Sequence, residues 1–187
     1  MPRKPRLEIT WPVRNDLYSL VDIYNQAIQS GISTGHTKEF TAASRMSWFR
    51  SHTKYDFPIY VLKYDKKIIG YGTLSPYRKG RQAMRSIAEV SFFLDQEYQG
   101  KGYGSLLVAK IIDDCPRLKI KTLIAILLDV NKKSIRLLKK FGFEKWGYFR
   151  DIVEFEDKTC GQLVYGLKVK DANELLIQEQ ISKLGYA

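Results

Sequence analysis

Thiols are scarce in this chain. Of 187 residues only Cys115 and Cys160 are cysteine, too few for a disulfide framework and in keeping with a reducing compartment. Histidine is equally scarce: His36 and His52 stand at unrelated spacing, which excludes a recognisable metal-ligand pattern. Long apolar runs are missing as well. A run such as Leu123 to Leu128 falls far short of the roughly 20 residues that span a bilayer. No internal repeat, glycine- or proline-rich linker or low-complexity tract divides the sequence. Acid is in deficit, with 20 Asp and Glu against 31 Lys and Arg, a formal net charge of +11.

What is present describes one folded domain. Hydrophobic residues make up 44% and aromatics 13%, enough for a sizeable core without staples. The basic surplus suits polyanions: nucleic acid, an anionic surface or a multiply phosphorylated cosubstrate. It is dense only at Met1 to Arg6, Arg78 to Arg85 and Lys132 to Lys140, and elsewhere reads as a solvated surface. The basic start leads into no apolar signal segment, so a cytoplasmic protein is expected.

Periodicity sets out the elements. Leu7 to Trp11 reads as a strand, and Asp16 as the N-cap of a helix carrying Leu17, Leu20, Val21, Tyr24 and Ile28 on one face. Ser30-Gly31 ends that helix, a polar loop holds His36, and Thr41 caps a second helix with Met46 and Phe49 inward. Phe57 to Tyr64 and Lys67 to Ser75 form a hairpin turning at Asp65-Lys66. After a basic loop, Ile87 to Leu94 is a strand. Pro116 stops the helix that follows, and Thr122 to Leu128 suits a strand buried on both faces. Asn131 to Phe141 is a short helix that Gly142 closes, Lys145 to Glu154 and Gln162 to Val169 form a closing hairpin, and an accessory helix lies within Asp171 to Leu184. Residues 1–170 are thus expected to form one α/β domain with a mixed sheet, and 171–187 an accessory helix and tail.

The centre of the chain carries the first chemistry. Gln99-Gly100-Lys101-Gly102-Tyr103-Gly104 lies between a strand and a helix, so its backbone N–H groups and the positive end of the helix dipole can address one anion, a phosphate above all. No acidic residue follows at the Rossmann spacing, and no Gly-Lys-Ser/Thr makes a P-loop.

Those six residues resemble the acetyl-CoA motif of the GNAT N-acetyltransferase superfamily, Gln/Arg-x-x-Gly-x-Gly/Ala. Asn131-Lys132-Lys133-Ser134 with Phe141-Gly142-Phe143 resembles its second motif. Asp22-Ile23-Tyr24-Asn25, Glu89 and Gly147-Tyr148-Phe149-Arg150 resemble the phosphinothricin acetyltransferase and amino-acid N-acyltransferase group, over roughly Leu7 to Val169. The resemblance implies a mixed, mostly antiparallel sheet with flanking helices, splayed between the strands Ile87 to Leu94 and Thr122 to Leu128. It implies acetyl-CoA in the opening and no metal. Backbone groups of Phe92, Phe93 and Leu94 would pair with the pantetheine arm, Gln99, Gly100, Lys101, Gly102, Tyr103 and Gly104 would cradle the pyrophosphate, and Asn131 and Ser134 would lie along the pantetheine. Lys101 also reads as a solvated loop lysine, and Asn131 and Ser134 as helix capping.

Glu89 is the candidate catalytic base. Alternation puts it on one strand face with Ile87, Ser91 and Phe93, in apolar company that raises a carboxyl toward the working range of a base. In the resembled group the matching glutamate deprotonates the attacking amine. A departure stands at Leu138, where relatives carry a tyrosine or histidine able to protonate the leaving thiolate. Arg78 and Arg85 are candidates for an acceptor carboxylate, and His36 for the acceptor loop. Neither cysteine has a histidine near it in sequence, which favours direct transfer over a ping-pong route. The expected activity is acetyl transfer to the amine of a small molecule, an amino acid or analogue such as phosphinothricin or methionine sulfoximine, by a homodimer of the kind the resembled group forms. A protein or peptide acceptor stays open. So does a basic nucleic-acid-binding module, although no aromatic–basic platform supports it.

Overall fold

The computed structural model describes residues 6–184. Most of the basic start, Met1 to Pro5, lies outside the described residues, as do the last three. Strand β1 (Leu7–Thr10) leads through a tight turn into helix α1 (Leu17–Gln29). Asp16 stands at the N-cap as expected, yet its Oδ2 accepts the Val13 N–H at 2.9 Å and so braces the turn before the helix. Helix α2 (Ala42–Arg50) starts at Thr41, whose hydroxyl accepts from the Ser44 N–H at 3.2 Å while Ser44 Oγ accepts from the Thr41 N–H at 3.1 Å.

Strands β2 (Ile59–Tyr64) and β3 (Lys67–Pro76) are joined by Asp65 and Lys66 at φ of 46° and 73°, the left-handed pair that a two-residue hairpin turn demands. Then come β4 (Ile87–Leu94), α3 (Tyr103–Asp114), β5 (Thr122–Leu128), α4 (Lys132–Lys140), β6 (Glu144–Glu154), β7 (Thr159–Lys168) and α5 (Glu174–Ile181). Gly142 closes α4 at φ 94°, where a side chain would be strained.

One seven-stranded sheet runs β1-β2-β3-β4-β5-β7-β6, antiparallel at every step except β4 beside β5. That parallel pair is short. It holds at Ile87–Thr122, Ala88–Leu123 and Glu89–Ile124, and the two strands then part, although each runs several residues further. The expected splay is there.

Strand alternation sorts the core onto two faces. On one, Leu107 and Ile111 of α3 pack on Ala88, Val90, Leu123 and Leu74, joined by Leu138 and Phe141 at α4 and by Ile177 of α5. On the other, Leu20 and Ile23 of α1 pack on Ile59, Val61 and Tyr71, with Trp48, Phe49 and Phe93 around them. The Ile111 side chain of α3 rests on the sheet at Gly72, where a Cβ would collide with it.

Two sequence expectations need correcting. The Thr122 to Leu128 run is not buried throughout: Ile126 is 38% exposed, because β4 has already left its side when the chain reaches that residue. The last strand begins at Thr159 rather than at the expected Gln162, so Cys160 lies in β7 and not in the turn before it, and its side chain is buried.

Candidate active site

The splay creates a strand edge inside the sheet. Across β3 and β4 the bonds Tyr77 N–H to Ile87 C=O (3.4 Å) and Asp95 N–H to Ile69 C=O (2.9 Å) fix the alternation of the ladder. Odd-numbered residues of β4 therefore spend their backbone groups on β3, and Ala88, Val90, Phe92 and Leu94 aim theirs toward β5. Pairing with β5 stops at Glu89–Ile124, so Phe92 and Leu94 face the gap. Phe93 has its backbone turned to β3 and takes part through its ring, 4.9 Å from Tyr24 and 5.5 Å from Tyr71 between centroids. That divides the roles of the expected trio.

The glycine loop closes one end of the gap. Gln99 ties it to the strand, its side-chain amide donating to the Leu94 carbonyl at 3.3 Å. Gly100 and Gly102 sit at φ of 75° and 86°, conformations that glycine adopts without strain. Gly102 is the N-cap of α3 and brings no capping side chain; the Ser105 N–H donates to the Gly102 carbonyl at 3.0 Å, and those of Tyr103 and Gly104 are left for a ligand. Gly104 lets α4 approach, since a Cβ there would stand 3.0 Å from Leu137. Tyr103 turns away to stack near Tyr64 and Tyr98, and the exposed Lys101 lies over the Tyr98 ring at 5.3 Å.

Facing the loop, Asn131 caps α4, its Oδ1 accepting from the Ser134 N–H at 3.2 Å. Between them lies a cavity of about 450 Å³, lined by Phe92, Phe93, Leu94, Gln99, Gly100, Gly102, Gly104, Asn131 and Ser134, with Lys133, Arg136 and Lys140 also on its wall. Nine expected cofactor residues are thus gathered in one cleft. A free strand edge suits an amide-bearing arm, and helix N–H groups beside three cations suit phosphates.

Glu89 lies at the paired end of β4, on the face that carries α1 and α2. Burial removes water from its carboxyl and raises its pKa. Its cross-strand partner is Ser75, a hydrogen-bonded pair on the same face. Ser75 Oγ is 3.3 Å from His52 Nε2, and His52 Nδ1 is 2.8 Å from the Trp48 carbonyl. Burial lowers the pKa of His52; the bond to Trp48 opposes this and the nearby Arg45 charge adds to it. The Arg45 guanidinium lies 4.2 Å from the Trp48 ring centroid, 5.0 Å from Phe40 and 5.5 Å from Tyr24, and makes no ion pair among the described residues. Two strands from Glu89, the Trp146 indole lies flat over Gly166, which pairs with Ile124, the β5 partner of Glu89.

The acceptor candidates are less gathered. His36 is exposed and held by the Tyr24 hydroxyl at 2.7 Å from Nδ1, with Phe40 edge-on at 5.0 Å. Arg78 and Arg85 are exposed on the connection before β4, away from the cleft lining. Sequence reasoning missed Arg45, His52, Ser75 and Trp146. Arg45 and Trp48 at i and i+3 on one helix were a readable signal; the pairing of Ser75 with Glu89 was not.

Other candidates for chemistry drop out. Leu138 is fully buried in the core. Burial pushes the Cys115 thiol up to about 12 and also raises Cys160, so neither is a thiolate nucleophile. Among the described residues no group of three His, Cys, Asp or Glu could hold a metal ion, and no helix is long and apolar enough to cross a membrane.

Comparison with known proteins agrees with this geometry. The model of the acetyltransferase (GNAT) family matches residues 18–143. YwnH of Bacillus subtilis is 36% identical over 82% of this chain and 91% of its own length. The phosphinothricin N-acetyltransferase of Streptomyces coelicolor is 30% identical over 81% and 90%. Among solved structures, a GNAT superfamily phosphinothricin acetyltransferase from Sinorhizobium meliloti, in complex with AcCoA, superposes with a TM-score of 0.81 at 25% identity, covering 87% of this chain and 88% of that one.

Proposed function

Because this chain belongs to the GNAT family of acetyltransferases, we propose that it moves the acetyl group of acetyl-CoA directly to the primary amine of a small molecule, an amino acid or phosphinothricin-like analogue. The observation that carries the reading is the pairing of an unfilled strand edge with a desolvated carboxylate on the same strand. Acetyl-CoA supplies the thioester. Phe92 and Leu94 hold the pantetheine arm as a strand would, the ring of Phe93 walls it, and Asn131 and Ser134 lie along its other side. N–H groups of Gln99 to Gly104 take the pyrophosphate, with the start of Tyr103's helix and Lys101 adding positive charge.

Glu89 takes a proton from the acceptor ammonium. The freed amine forms the new C–N bond and gives up its second proton to water as the C–S bond breaks, and coenzyme A leaves as a thiolate that takes a proton from water, since Leu138 has none to give. Arg78 and Arg85 offer guanidinium to the acceptor's carboxylate, and His36 borders its loop.

In this reading residues 1–170 are the transferase domain and 171–187 an accessory segment, whose helix α5 braces α3. The working form is a cytoplasmic homodimer. The exposed Trp146, Phe149 and Ile152 of the edge strand β6 suit that assembly. The deciding experiment is thiol release followed with Ellman's reagent across an amino-acid panel that includes phosphinothricin and methionine sulfoximine. Release with a panel member supports the reading, and silence across the panel overturns the acceptor class.

A further inference from the structure

We propose that His52 and Ser75 form a positioning pair that carries the proton from Glu89 out to solvent; this rests on the base role read for Glu89 above. Three observations support it. First, Ser75 and Glu89 are opposite each other in a hydrogen-bonded antiparallel pair, with side chains on the same face of the sheet. Such pairs bring the Cβ atoms to about 5.5 Å, a separation that one water can bridge between the hydroxyl and the carboxyl.

Second, the tautomer of His52 is fixed. A carbonyl oxygen can only accept, so the 2.8 Å contact with Trp48 places a proton on Nδ1 and leaves Nε2 as an acceptor. The Ser75 hydroxyl, 3.3 Å away, then donates to Nε2. Third, the surroundings keep the ring neutral and poised. Around it stand Arg45 and Trp48 of α2, the Ser51 hydroxyl at 3.3 Å from Nδ1, and Ser75 of β3, with Glu89 of β4 across the strand pair from Ser75. Burial and the Arg45 charge both disfavour a lasting imidazolium, so a proton received is passed on quickly.

The step balances. Glu89, protonated by the acceptor ammonium, returns that proton to Ser75 Oγ as the Ser75 hydroxyl proton moves to His52 Nε2. The half-buried imidazolium then gives its Nε2 proton to water, which restores the Nδ1–H tautomer, and the hydroxyl rotates back. Nothing is oxidised, and one proton leaves the site per acetyl transferred. The bond to Trp48 alone would make His52 a cap on the end of α2, and a cap gives no reason for a link to Glu89.

Two measurements separate these roles. The imidazole of His52 is titrated by 15N NMR in the wild type, in Glu89→Gln and in Ser75→Ala. The proposal expects the Nδ1–H tautomer, and a midpoint that falls by at least about 0.3 pH unit when Glu89 loses its charge. An unmoved midpoint in Glu89→Gln, or the opposite tautomer, overturns it, with no acceptor needed. In turnover, His52→Gln and Ser75→Ala are expected to lower kcat about tenfold and shift the acid limb of kcat/KM, with acetyl-CoA affinity and melting temperature kept. Ser75→Thr, which keeps a hydroxyl, restores the rate. An active wild type matched by both variants removes the relay alone. A wild type silent on every acceptor removes the proposed function, while the NMR result still decides the pair.

Discussion

The two ends of α3 handle polar groups in opposite ways. At its start, Gly102 brings no side chain to the helix N–H groups, the next strand is absent from the edge of Phe92 and Leu94, and cations line the space between. At its finish the polar side chains partner one another. Asp114 accepts from the Tyr60 hydroxyl at 2.7 Å and from Arg117 at 2.7 and 2.5 Å, and Trp11 covers both, 5.3 Å from the Tyr60 ring and 5.5 Å from the guanidinium. A carboxylate at a helix C-terminus opposes the dipole, and Arg117 answers it. One end is saturated by the chain itself and stabilises the fold; the other keeps its donors for a ligand.

Substitutions should separate the two ends. The largest effect is expected from Glu89→Gln, which should lower kcat about a hundredfold or more in a coenzyme A release assay, with acetyl-CoA affinity by calorimetry unchanged. Gly102→Val forces a branched side chain into φ 86° at the mouth of the cleft, and should weaken acetyl-CoA binding about tenfold. Tyr60→Phe acts at the far end. It should cost about 1–3 kcal/mol in urea unfolding while acetyl-CoA affinity stays at the wild-type value, and a shift in affinity would break the division.

The smallest effect concerns acid. Burial alone would raise the Asp114 carboxyl, but the bonds from Arg117 and Tyr60 outweigh burial and hold it below its ordinary value. A depressed carboxyl stabilises the fold fully above its unfolded pKa, near 4, and that contribution fades as pH drops through the lower folded value. Asp114→Asn should flatten that part of the stability curve between about pH 5 and 2, measured by urea midpoints. The change is modest, because Arg117 is 43% exposed and water screens it.

How much of this could be read from sequence follows the range of each interaction. Asp65-Lys66, Thr41 with Ser44, Asn131 before α4 and Gly142 after it are local, and residue type alone places the turn or cap. The faces of β4 followed from alternation, which put Glu89 opposite Val90 and Phe92. Register was beyond reach. That Ser75 stands across from Glu89, that Trp146 lies over Gly166, and that β7 rather than β6 sits beside β5 depend on contacts between segments far apart in the chain. The same blindness explains Ile126, apolar in a run of apolar residues yet exposed, because the neighbour that would cover it has turned away. The glycine loop was legible as an anion site from its own residues, and as an acetyl-CoA cleft only through its likeness to a family.

The three-residue contact between β4 and β5 has a consequence for how the sheet behaves in solution. Strand edges belong at the rim of a sheet, where they invite foreign chains, yet Phe92 and Leu94 form one near the middle, in a cleft also lined by residues of α1, α3 and α4. Their amide hydrogens have no partner strand, so they should trade with deuterium at the pace of a rim while the odd-numbered residues of β4, bonded to β3, stay protected. A slim arm of alternating amides fits where a chain with side chains does not. When it docks, the sheet becomes continuous, and slowed exchange at two interior amides would time its arrival.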